Sequence, residues 1–331
     1  MKKLSTITDA DWEGVCDWNK QILKSFISDS VELSEKTIKV YQSNLRIWFV
    51  WVKEHLNNKR QIDIKPLEYK KYQNWLVGRG ASSSDANNKR AAISSLNNYI
   101  ETYYADDYPL FRNFINKSIK RPAPNTVREK IPLTKAEYRH LIEELHRMGK
   151  TQILAYVVFT FEAGCRREES RQVTKECLNA KRNVKVVKKR NPDGTEEVSE
   201  LAYYYTKPVR CKGGKMKRLR FGDESMAAIR AWIAERGDDD CEYLFVSRTR
   251  EGDVRQIGAT TFNNWLKGVV SDIVGREVHP HTLRTSRATQ AVVEDGVDVK
   301  AVQKLLGHED ESTTLNYYVV RDTDDDEDDV F

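Results

Sequence analysis

The chain has 331 residues, enough for two domains that each bury a hydrophobic core. Its 55 lysines and arginines barely outnumber 50 acids, but seven of those acids crowd into Arg321–Phe331, so residues 1–320 carry 54 basic against 43 acidic residues; a basic body favours a polyanionic partner, nucleic acid ahead of a membrane surface. Five cysteines (Cys16, Cys165, Cys177, Cys211, Cys241) stand singly, no apolar run approaches a membrane span, and the opening residues lack an apolar leader core, which argues against a disulfide framework, a zinc site and a membrane anchor and points to the cytoplasm.

From the N-terminus to residue 119 the chain reads as helix after helix. In 34–56, Val40, Leu45, Trp48, Phe49 and Val52 recur at helical spacing, and Ser34 stands where an N-cap hydroxyl belongs. The pattern continues over 66–77 and 85–103, broken by Gly78, Gly80 and the serines 82–84. Five tryptophans fall in this half (Trp12, Trp18, Trp48, Trp51, Trp75); most read as core, with one or two left to pack on a DNA backbone. Residues 120–132 hold three prolines and no apolar period, the mark of an extended linker. Helices follow over 135–148 and 151–163, the second strongly apolar and ended by Gly164.

Residues 184–221 change character, with a turn at 191–194, a strand over 201–205 and a hairpin tip at 211–215. The stretch 181–220 has 13 basic residues against four acids, which suits a small sheet facing phosphate or an edge kept from aggregating by its charge. Helices resume at 223–235, 258–274, 282–295 and 299–306, the last capped by Asp298 and stopped by Gly307, and a final one covers 312–320. The fold class is thus mainly α with a small β-sheet. A helical domain (1–119), a linker (120–132) and an α+β domain (133–320) are followed by a low-complexity acidic tail (321–331) expected to be disordered.

The chemistry concentrates near the C-terminus. His281 and Arg284, three apart at a helix start, share a face where backbone N–H groups add positive potential. With His308 and Tyr317 they suit a phosphodiester: the arginine neutralises a non-bridging oxygen, the histidines move protons, and the tyrosine hydroxyl attacks phosphorus. No carboxylate or thiol stands at ligand spacing beside His279 and His281, so no metal is expected. Arg166, just past the most apolar helix, has Glu169 three residues on to hold its guanidinium. Tyr317 and Tyr318 point about 100° apart on a helix, so one of them alone faces the phosphate. Leu315, Tyr318 and Val319 form an apolar stripe, which makes Tyr317 the favoured nucleophile and Tyr318 the alternative.

These residues resemble the tyrosine recombinase (phage integrase) family. The resemblance rests on GxRxxE at 164–169, HxLR at 281–284, LLGH at 305–308 and STTxxY at 312–317, in order and with the nine-residue step from His308 to Tyr317. It covers 133–320 by motif and 1–119 by layout, and implies a helical core-binding domain joined to an α+β catalytic domain, as in a Xer-like or compact integrase with no further small domain in front. It also implies that Arg166 and Arg284 clamp the scissile phosphate, that His281 is the general acid/base, and that His308 hydrogen-bonds a phosphoryl oxygen. Tyr317 would form a 3′-phosphotyrosyl bond, with a lysine on a β-hairpin protonating the leaving oxygen. Lys212 fits that lysine best, with Lys215 and Lys207 as alternatives. The expected partner is a double-stranded recombination site bound by four protomers on two sites, with an accessory DNA-bending protein as an option; no cofactor, ATP or membrane is required.

Three departures stand out. Thr285 occupies the position after the second arginine where the family commonly has histidine. The interval from Arg166 to Lys212 is long, and the tail 322–329 is too acidic to dock as the family's C-terminal helix does. Two other readings compete: a type IB topoisomerase, which would relax supercoils without giving recombinants, and a non-catalytic DNA-binding regulator, which would form no covalent adduct.

Overall fold

A computed structural model of the chain describes residues 7–115, 119–123, 131–190, 196–295 and 297–306. The chain separates into two compact units, Met1–Glu129 and Lys130–Phe331. Among the described residues no helix is long and apolar enough to cross a membrane.

The first unit is helical: α1 (Asp9–Glu13), α2 (Asp17–Asp29), α3 (Glu35–His55), α4 (Pro66–Gly78) and α5 (Ser83–Tyr103). The two long helices begin at serine caps, Ser34 Oγ accepting from the Thr37 N–H at 3.2 Å and Ser82 Oγ from the Asp85 N–H at 3.1 Å. Leu45, Trp48, Phe49 and Val52 of α3 are buried with Ile93, Leu96 and Ile100 of α5. Val40, a turn earlier on the same stripe, is exposed, so the stripe runs past the packed interface. One polar group inside this core is paired on both sides: Gln61 accepts from Trp48 Nε1 at 2.7 Å and donates to Asn97 Oδ1 at 2.6 Å. Unpaired, it would cost about 1–3 kcal/mol. Trp48 and Trp51 stack at 5.6 Å between centroids, which places both in the core.

The second unit is built around α7 (Thr151–Ala163), ten of whose residues are buried. A helix apolar on every side must be wrapped. Around it lie α6 (Lys135–Arg147), α9 (Asp223–Arg236) and α12 (Pro280–Thr289). The short α8 (Arg167–Ser170) follows α7. An antiparallel sheet of order β1–β2–β3 joins β1 (Asn183–Arg190), β2 (Glu196–Arg210) and β3 (Met216–Phe221), and a second small pair joins β4 (Val246–Arg248) and β5 (Val254–Gln256). The fold is therefore mainly α with small sheets.

Several elements differ from the sequence expectation. Strand β2 spans fifteen residues rather than five, with a register shift between Tyr205 and Pro208, because proline cannot donate to the ladder. The helix expected over 258–274 is α10 (Ala259–Trp265), a wider turn at Leu266–Val270, and α11 (Ser271–Val274), since Gly268 (φ −92°, ψ −109°) leaves helical geometry. α12 starts two residues early, Pro280 serving as its first residue, and passes into a wider turn at Gln290–Glu294 before α13 (Val299–Leu306). The expected turn at 191–194 and helix at 312–320 lie outside the described residues.

Candidate active site

Three segments far apart in sequence converge where α7 ends. Gly164 has φ +54°, the left-handed conformation that favours glycine, and the chain turns there out of the helix. A Cβ at this position would stand 2.8 Å from Leu306 Cδ2, so α13 packs directly on the bare backbone.

Two residues on, Arg166 precedes α8 in extended backbone. The Glu169 carboxylate folds back on it, Oε2 accepting the Arg166 backbone N–H at 2.9 Å and Oε1 accepting Nη1 at 3.0 Å. Glu169 is 2% exposed and Arg166 36%. One edge of the guanidinium is fixed on a buried carboxylate while part of its surface meets solvent, an arrangement suited to a second, external anion.

Arg284 is 2% exposed. Its Nη1 donates to the Gly164 carbonyl at 2.5 Å and its Nη2 to the Leu306 carbonyl at 2.7 Å. Both carbonyls lie at helix C-termini, the partially negative ends of α7 and α13, which offsets the burial of the cation. Arg284 therefore pins α12 to two other helix ends beside Arg166. His281, exposed and one turn before Arg284, lies on the same side of α12. Thr285, where the family commonly has histidine, is buried and turns its hydroxyl onto the His281 carbonyl at 3.0 Å. His279, the residue before the helix, approaches Glu277 at 3.3 Å.

The hairpin lysines separate cleanly. Lys207 reaches Glu176 at 2.5 Å on the outer surface, and Lys215 is exposed in the tip. Lys212 opens the one-turn tip between β2 and β3, and of it only the backbone is described. A lysine that the sequence reading passed over, Lys217, sits on β3 opposite Val209 and within electrostatic reach of Glu169 and Arg284. Burial first, and then Arg284, holds its ammonium below the ordinary lysine range, against the pull of Glu169. Counting by twos back from Leu219 and Phe221 would have found it. Next to the cluster, burial and then Glu169 push the Cys165 thiol up to about 12, which keeps it unreactive. His308, Tyr317 and Tyr318 lie outside the described residues.

Residues 132–324 match the model of the phage integrase family. Over 336 residues the chain is 31% identical to the SPbeta prophage-derived recombinase-like protein YomM of Bacillus subtilis (strain 168), spanning 99% of this chain and 95% of that protein. Over 292 residues it is 26% identical to a tyrosine recombinase of Thermosipho africanus (strain TCF52B), spanning 87% and 90%. The fold is shared with the Tn1549 transposon integrase in complex with transposon right end DNA (TM-score 0.64, 17% identity, 91% of this chain and 94% of that one). It is also shared with a lambda integrase dimer bound to a COC′ core site (TM-score 0.62, 16% identity, 89% and 95%). The chain belongs to the phage integrase family of tyrosine recombinases.

Proposed function

We propose that the chain is a site-specific DNA recombinase that cuts and rejoins double-stranded DNA through a 3′-phosphotyrosyl intermediate. The observation that carries this reading is the convergence of Arg166, held by Glu169, with Arg284, held by the carbonyls of Gly164 and Leu306. Two guanidinium groups fixed before substrate arrives lose little entropy on binding a phosphodiester, and they neutralise charge that grows on the non-bridging oxygens as phosphorus becomes five-coordinate.

In this reading Tyr317 Oη attacks phosphorus as His281 takes its proton. The P–O5′ bond breaks, and the 5′ oxygen receives a proton from the hairpin lysine, Lys212 before Lys215 or Lys207. His308 hydrogen-bonds a phosphoryl oxygen. Attack of a 5′-hydroxyl on the phosphotyrosine reverses the sequence on a new strand, and the retained ester bond drives rejoining without ATP. Four protomers on two sites would complete the exchange, in the cytoplasm, with room for an accessory DNA-bending protein.

A two-site plasmid assay tests this. Purified protein with the element's own junction on supercoiled DNA is expected to give recombinant products. Relaxed circles without recombinants would indicate a topoisomerase, and site binding with neither product would indicate a regulator.

A further inference from the structure

Strand β2 loses a neighbour before it reaches the hairpin tip. β1 pairs with it only as far as Tyr203, whereas the pairing with β3 runs on to Arg210. At Arg210 a side chain takes the place of the missing strand: Gln172 Oε1 accepts the Arg210 N–H at 2.9 Å, and Gln172 Nε2 donates to the Arg210 carbonyl at 3.0 Å. These are the two bonds that a residue of an adjacent antiparallel strand would make. Nε2 also donates to the Glu168 carbonyl at 2.7 Å, so both amide hydrogens are used and the partners allow one orientation of the amide.

Both sides of this joint are themselves held. Gln172 follows α8, and the carbonyl of its neighbour Arg171 accepts from Gln256 Nε2 at 2.9 Å. Across the joint the tip closes on itself, the Cys211 N–H donating to the Lys215 carbonyl at 2.7 Å and the Gly214 N–H to the Cys211 carbonyl at 3.1 Å. A tip closed in this way turns as one body, and Arg210 stands immediately before it. Successive Cα atoms are about 3.8 Å apart, so the backbone of Lys212 is at most about 8 Å from the residue that Gln172 grips. Gln172 lies outside the GxRxxE motif, which ends at Glu169.

We propose that Gln172 is a positioning residue for cleavage, its amide fixing the hairpin tip and the leaving-group lysine on it relative to the segment that carries Arg166. The proposal rests on the reading of a tip lysine as proton donor to the 5′ oxygen. Phosphate binding and leaving-group protonation, which come from separate elements, then share one hydrogen-bonded joint.

The test sets the full-length protein beside Gln172→Met, which keeps the length of the side chain without the amide, and Gln172→Glu, which keeps an acceptor for the Arg210 N–H without the donor. Covalent adduct is followed at saturating nicked junction DNA, with the ordinary 5′ oxygen at the scissile bond and with sulfur in that bridging position. On either substrate the bond from Tyr317 Oη to phosphorus forms, and the bond from phosphorus to the 5′ atom breaks with its electron pair. Oxygen then needs a proton; sulfur leaves as a thiolate without one. On oxygen, Gln172→Met is expected to react about tenfold to a hundredfold more slowly than wild type, the scale of a displaced catalytic group, with Gln172→Glu between them. On sulfur both variants should regain the wild-type rate, which lost stability alone would not produce. Hydrogen exchange at the Arg210 amide should quicken in Gln172→Met while the amides of α7 keep their protection. Equal losses on oxygen and sulfur, an unchanged rate on oxygen, or unchanged exchange at Arg210 would each overturn the assignment. Lys212→Ala and Lys215→Ala on the same two substrates separate the failures: if neither regains its rate on sulfur, the tip-lysine reading falls and this role with it. No adduct from the wild type on either substrate would strike the recombinase reading as a whole.

Discussion

Arg284 is the most firmly anchored charge in the site, with two helix-end carbonyls on its guanidinium and almost no exposure. Lysine cannot bridge two acceptors with a rigid fork. Arg284→Lys is therefore expected to lower the rate of covalent adduct formation about a hundredfold, the usual cost of one lost transition-state donor, while the protein still binds its site. A gel-shift run beside a denaturing adduct gel separates the two effects, and equal loss of binding and cleavage would speak against it. At this scale the sequence was legible where the partner is local. Arg166 and Glu169 are three residues apart, and their pairing follows from spacing alone. The carbonyls that hold Arg284 come from residues 120 positions before and 22 after it, and no local pattern announces them. Lys217 escaped for a different reason: its inward face shows only when the alternation of β3 is counted back from Leu219 and Phe221.

At the scale of elements, Gly164 joins helix end to active site. Its φ of +54° and the 2.8 Å from a built Cβ to Leu306 Cδ2 mean that Gly164→Ala strains the backbone and pushes α13 outward. A destabilisation of about 1–2 kcal/mol is expected, read as a shift of the urea midpoint at unchanged slope. A second joint lies after α9, where Arg236, fully buried, donates Nε to Asp239 Oδ2 at 2.6 Å. Arg236 foremost holds the Asp239 carboxyl down to about 2, from an ordinary value of 3.8. A carboxyl depressed in the fold adds stability that is present above pH 4 and is lost as pH falls toward 2. Asp239→Asn should thus unfold at lower urea than wild type at pH 7, and the gap should close between pH 4 and pH 2; a gap independent of pH would contradict the pairing. Helix existence was readable from apolar spacing, as α3, α4 and α7 show. The break at Gly268 was not, because a glycine inside a helical pattern is tolerated as often as it interrupts. Strand β2 was read as too short because its outer half carries exposed valine and charged residues in place of the alternation of a half-buried strand.

At the scale of the whole molecule, the chain forms two units, each with its own core. The helical unit buries Trp48, Trp51, Tyr69 and Tyr72, and the second unit brings Arg166 and Arg284 to one end of its central helix. The basic body of the chain predicts binding that weakens with salt, since each neutralised phosphate releases counterions. In the proposed reaction, Tyr317 forms the covalent bond to DNA. This is tested most directly by a suicide-substrate assay: nicked duplex carrying the element's own junction, without metal, with wild type beside Tyr317→Phe and Tyr318→Phe on a denaturing gel. A protein–DNA adduct that persists in Tyr318→Phe and vanishes in Tyr317→Phe is the predicted result. An adduct lost only in Tyr318→Phe, or no adduct from any form on a site that all three bind, would contradict it.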